Sequence, residues 1–135
     1  MMDRKEMMQL GNGPAMDILV AEQIMGWQLE KDEVKIKRLN EFFSHNEERR
    51  WWLMPGGGWY DEPPSFSTDI AAAWQVVESM NRQGYQLHLS QGDDESHASF
   101  TTAGSHSDSI VEKSVTAAIC KAALHIVFDS VFVTL

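Results

Sequence analysis

Three of the five tryptophans fall within Trp51-Trp52-Leu53-Met54-Pro55-Gly56-Gly57-Gly58-Trp59-Tyr60, and two arginines, Arg49 and Arg50, stand directly before them. Aromatic faces stack on flat ligands, and a neighbouring guanidinium meets a ligand's negative charge. Trp59, Tyr60, Trp52, Arg49 and Arg50 are therefore the candidate ligand-binding residues. Core packing competes with this assignment. Successive strand residues point to opposite faces, so at least one of Trp51 and Trp52 is buried, and both are if helices cover both faces. Buried aromatics are also commoner than exposed platforms. The three glycines do not read as a phosphate cradle, because no Lys-Ser/Thr pair follows and the next helix, about ten residues on, opens with the acidic Asp69. They read as a turn.

Other reactive residue types are spread along the chain. His88, His97 and His106, with Asp93, Asp94 and Glu95 nearby, lack the paired spacing of a metal site, so a solvated acidic hairpin is expected and no metal or cofactor. Cys120 lies among alanines, where a thiol is an inert small hydrophobe. Ser67 and Ser114 read as helix caps. Asp61 and Glu62 are adjacent carboxylates with nothing in the sequence to raise one of them for acid catalysis. A non-enzymatic chain is expected, with a small hydrolase as the weaker alternative.

Composition narrows the partners. Eleven Lys+Arg against twenty Asp+Glu give a net charge of −9, which repels nucleic acid and anionic lipid. The acidity also raises mimicry of DNA, but the carboxylates are scattered and Glu47-Glu48 is followed by Arg49-Arg50, so a solvated surface is preferred. The opening MMDRKEMM is not an apolar leader, and no apolar run reaches the ~18–20 residues of a membrane span. A cytoplasmic protein without membrane partners is expected. The 135 residues suit one domain, and 43% apolar with 23% charged residues suits a packed core.

The elements that must position these residues follow from periodicity. A short helix over 3–9 and a second that begins at Pro14 and closes at Gly26 are predicted. Val34 and Ile36 alternate as a strand, Trp51–Met54 form another, and 55–64 is a loop. The clearest helix opens at Ser67, with Ile70, Ala73, Trp74, Val77 and Met80 on its buried stripe, and ends at Gly84. Tyr85, Leu87 and Leu89, then Ala98 and Phe100, form a hairpin around Gly92–Glu95. The last helix follows Ser114 and is apolar except for a strip around Lys121 and His125, so it needs cover on two sides. The tail FDSVFVTL alternates as a strand. The uncovered helix and tail make a homo-oligomer the expectation.

MDILVAEQIMGW, WWLMP, FSTDIAAAWQVVESM and AAICKAAL, in this order and spacing, resemble the phage ABA-sandwich domain. The resemblance runs from the DRKE helix through residue 127. It implies a phage or prophage protein acting in the bacterial host cytoplasm, and an α+β fold: a small α/β/α sandwich with one antiparallel sheet of about four strands and three main helices. It brings no catalytic motif. The segments 38–50, 101–109 and the tail depart from the family pattern, and loops of that kind carry function. The expected role is an accessory protein that counteracts a host defence by sequestering a small ligand such as a signalling nucleotide. The alternative is an inhibitor or adaptor that binds a host protein.

Overall fold

The computed structural model describes residues 3–43, 49–103 and 109–133. Five helices and six strands follow in the order α1 (Arg4–Met8), α2 (Pro14–Gln23), β1 (Gln28–Leu29), α3 (Glu33–Phe42), β2 (Trp52–Leu53), β3 (Trp59–Tyr60), α4 (Ile70–Arg82), β4 (Gln86–Gln91), β5 (Ser96–Thr101), β6 (Ile110–Glu112) and α5 (Val115–Val133). The strands form two separate antiparallel sheets, a small one ordered β1-β2-β3 and a larger one ordered β4-β5-β6. This corrects the expected architecture: the described residues form two three-stranded sheets and five helices, not a single sheet of about four strands under three main helices. The α+β character stands. The missed strands are two or three residues long, too short to show a period in sequence.

α5 organises the core. It packs against β5 and β6 on one side and against α1, α2 and α4 elsewhere, so Thr116 through His125 are all buried. The strip around Lys121 and His125 is therefore covered, by elements of the same chain. Lys121 donates from Nζ to the Met8 carbonyl, 2.9 Å, and pairs with Glu112. Ser114 caps α5 as its sequence position predicts, accepting from the Ala117 N–H at 3.1 Å. Through Val133 the tail continues the helix instead of forming a strand, since extending an existing helix costs far less than nucleating new structure; residues 134–135 lie outside the described residues.

α4 and the hairpin β4–β5 complete this half. Leu87 lies opposite Phe100 and Leu89 opposite Ala98, and Ser96, Ala98 and Phe100 alternate inward along β5. The buried stripe of α4 is Ala72, Ala73, Val76, Val77 and Met80. Ile70 and Trp74, expected inside, are 53% and 50% exposed. Both stripes share Ala73, Val77 and Met80; the alanine-rich one lets α4 approach an equally alanine-rich α5, where an indole would hold the helices apart. Asp69, not Ser67, caps α4, accepting from the Ala71 N–H at 3.1 Å.

Ser67 has a different task. Its hydroxyl accepts from the Gly13 N–H at 2.9 Å, its own N–H donates to Asp17 Oδ1 at 2.8 Å, and its carbonyl accepts from Thr116 Oγ1 at 2.6 Å. The segment before α4 is thus tied to the starts of α2 and α5, and a buried carboxylate is satisfied by a backbone donor.

Candidate functional site

The small sheet sets the aromatic run. Leu29, Trp52 and Tyr60 are ladder neighbours and share one face; Gln28, Leu53 and Trp59 share the other. Gly56, Gly57 and Gly58 all have φ between 91° and 104°, a left-handed conformation that glycine adopts freely and other residues do not. The turn they make returns the Gly58 carbonyl to the Met54 N–H, 3.0 Å away. β3 therefore arises inside the stretch predicted as loop.

Trp51 and Trp52 are each 3% exposed, so both are buried on opposite sides, as strand geometry allows when both faces are covered. Trp52 joins the main core. Trp51 lies against α3: its Nε1 donates to Asn40 Oδ1 at 3.1 Å, and Phe43 stacks on its ring at 4.9 Å. α3 stands where a strand through Val34 and Ile36 was expected. Asp32 accepts from the Val34 N–H at 2.9 Å, and the helix-favouring Glu, Lys, Arg and Leu of this run outweigh its alternation.

Beside Tyr60 a cleft of about 490 Å³ opens. The half-exposed Tyr60 ring forms one wall, backed by Trp27, a core residue 7% exposed, with ring centroids 5.3 Å apart and planes tilted by 51°. Met25, Met54, Pro55 and Pro64 add apolar lining, while Gln75, Ser79 and Arg82 come from one flank of α4, and Glu62 from the loop after β3. Trp27 is delivered by the end of α2: Gly26, at φ 76°, closes the helix, and the Trp27 N–H bonds back to the Ala21 carbonyl at 2.9 Å. Gly58 leaves room for the Tyr60 ring, since a Cβ there would stand a tight 3.2 Å from Tyr60 Cε2.

Of the five candidate residues, Tyr60 alone lines this cleft. Trp59 is half-buried on the opposite face of its strand, Trp52 is core, and Arg50 is exposed. Arg49 pairs with Asp61 at 2.8 Å, clasping the open ends of β2 and β3. Arg82 supplies the cation instead. Trp27 and Arg82 escaped sequence reasoning because they lie 33 and 22 residues from Tyr60 (60 − 27 and 82 − 60), and only the helix ends bring them to it.

The remaining reactive groups are held elsewhere. Burial, with a smaller contribution from the Asp17 charge, pushes the Cys120 thiol up to about 12, and its Sγ donates to the Phe66 carbonyl at 3.2 Å. Iodoacetamide at about pH 8 is expected to leave Cys120 unmodified in native protein and to alkylate it after denaturation. The raised value also stabilises the fold fully below the thiol's ordinary 9.0, a contribution lost as pH climbs from there toward 12. Alkaline denaturation that is flat across this window would contradict it. His97 sits 3.2 Å from Glu95, and His88 is 2.9 Å from Thr101 Oγ1. No metal-binding group of three His, Cys, Asp or Glu side chains occurs among the described residues; His106 lies outside them. Nor is any described helix long and apolar enough to cross a membrane.

Comparison with known proteins accords with this architecture. No protein of curated function matches the chain. The solved structure of a phage protein from Bacillus cereus ATCC 14579 superposes with a TM-score of 0.61 at 20% identity, covering 87% of this chain and 93% of that one; the likeness is one of fold. The sequence model of the phage ABA sandwich domain matches residues 18–124, which run from within α2 to about the middle of α5 and hold the whole cleft. The chain belongs to the phage ABA sandwich domain family.

Proposed function

We propose that this domain is a non-enzymatic binding module whose cleft between α4 and the small sheet takes a small ligand with a flat ring and one anionic group. The observation that carries the reading is the exposed Tyr60 ring, backed by the buried Trp27, across a cleft from a helix flank that presents Arg82. Rings stack on such walls, and a guanidinium pairs with phosphate or carboxylate. Glu62 on the same lining disfavours a polyphosphate. A signalling nucleotide with a single exposed phosphate belongs to this class, and sequestering it is a way for a phage protein to counteract a host defence. The concavity ranks a small ligand above a host protein, which a flat or convex patch would suit better. The buried, proton-retaining Cys120 supports binding without covalent chemistry.

Titration calorimetry with mononucleotides and cyclic nucleotides tests the assignment. Tyr60→Ala is expected to weaken binding by about 5- to 150-fold, equivalent to ~1–3 kcal/mol of stacking, with thermal stability nearly unchanged. Trp59→Ala, outside the cleft, should bind as wild type. Equal affinity in Tyr60→Ala would remove the site, and multiple turnover of a bound nucleotide would remove the non-enzymatic reading.

A further inference from the structure

β4 is the edge of the larger sheet. All six of its residues pair with β5 without a bulge, and no described strand lies on its other side. Proteins blunt such edges with short strands, charged side chains, proline or bulges, because unpaired N–H and C=O groups recruit another strand. The opposite edge follows that rule: β6 has three residues, ends in Glu112 and is followed by Lys113. β4 has none of these defences. From Gln83 to Gly92 there is no Asp, Glu, Lys, Arg or Pro.

α4 supplies an independent observation. Gln75, Ser79 and Arg82 occupy the flank that lines the cleft. At about 100° per residue, Ile70 and Trp74 fall on the other flank, and half of each side chain is open to water. α4 packs on β4. Leu89, a ladder neighbour of the buried Ala98, is also exposed. Three large apolar side chains, two on α4 and one on the β4 strand it packs against, are left exposed.

We propose that this edge joins two copies of the chain, β4 pairing antiparallel with β4 of a second copy about a two-fold axis at His88, so that the two three-stranded sheets become one. The strand complements itself. Centring on His88 sets Leu87 opposite Leu89 and Gln86 opposite Ser90, which keeps the inward faces of both copies in phase. The same axis sets the acidic turn that begins at Asp93 in each copy level with the uncharged Gln83 of the other, so the turns meet no carboxylate across the seam. With a net charge of −9, two copies repel over most of their surfaces. Along this strand no carboxylate faces another.

Light scattering at about 100 µM, where mass action favours assembly, is expected to give the dimer mass for wild type and the monomer mass for Leu89→Lys, with unchanged circular dichroism. In a second experiment, His88→Cys places a thiol opposite its own copy across the axis and is expected to form an intermolecular disulfide under mild oxidation. Gln86→Cys, opposite Ser90, should not, and the buried Cys120 does not compete. A monomeric wild type overturns the proposal, including one that takes up a strand from another protein. A dimer that survives in folded Leu89→Lys, or the absence of a disulfide at position 88, overturns it as well. If Leu89→Lys does not fold, the disulfide pattern decides.

Discussion

Phe66→Ala is expected to lower stability by ~3–5 kcal/mol, the range for emptying a fully buried aromatic site, and to lower Tm by roughly 10–20 °C for a chain of this size. Phe66 has no exposed surface. It precedes the Ser67 anchor and offers its carbonyl to Cys120, so little freedom remains for neighbours to collapse into the space. Trp74→Ala removes a larger side chain and is expected to cost no more than ~1 kcal/mol, since half of the indole already lies in water. Urea denaturation of the pair separates the two stripes of α4. Comparable losses would return Trp74 to the core and overturn the helix orientation described above.

The second large effect is electrostatic and asymmetric. The Lys121 side chain is 6% exposed and Glu112 25%, so Glu112→Ala leaves an ammonium in the core with the Met8 carbonyl as its remaining described partner. Stranding a buried charge in this way is expected to cost ~3 kcal/mol. Lys121→Met is expected to cost ~1–2 kcal/mol, because Glu112 can turn to water and the main loss is the donor to Met8. Combining Lys121→Met with Glu112→Leu should recover most of the Glu112→Ala loss. A double variant less stable than Glu112→Ala would show that the pair contributes more than its desolvation removes.

What the sequence disclosed was whatever repeats over several turns or ladder pairs. The α4 and α5 segments, the β4–β5 hairpin and the cap at Ser114 could be read because each is long enough to show its period or carries a local cap signal. The rotation of α4 could not: Ala71–Ala73 and Val76–Val77 permit two stripes, and hydrophobicity favours the one through Ile70 and Trp74, whereas close helix contact selects the alanines. α3 was hidden by the alternation of Val34 and Ile36, and β1 and β3 by their two-residue length. Tyr60 was legible in the cleft as an aromatic next to a glycine turn. Trp27 and Arg82 were not, because their place there depends on how α2 ends and which flank of α4 turns toward the small sheet. The expected self-association also changes its basis. α5 finds its cover within the chain, and the unguarded surface lies at β4.

The placement of α5 has a kinetic consequence. It follows every other described element in the chain, yet α1, α2, α4, β5 and β6 pack on it: Lys121 reaches back 113 residues to Met8, and Asn12 meets Ser114 across 102. Loop closure over such spans precedes the contacts that reward it, which slows folding. Until α5 leaves the ribosome, the faces of α1, α2, α4 and β5 that it covers stay open to water, and such transiently exposed apolar surface is where misassembly begins.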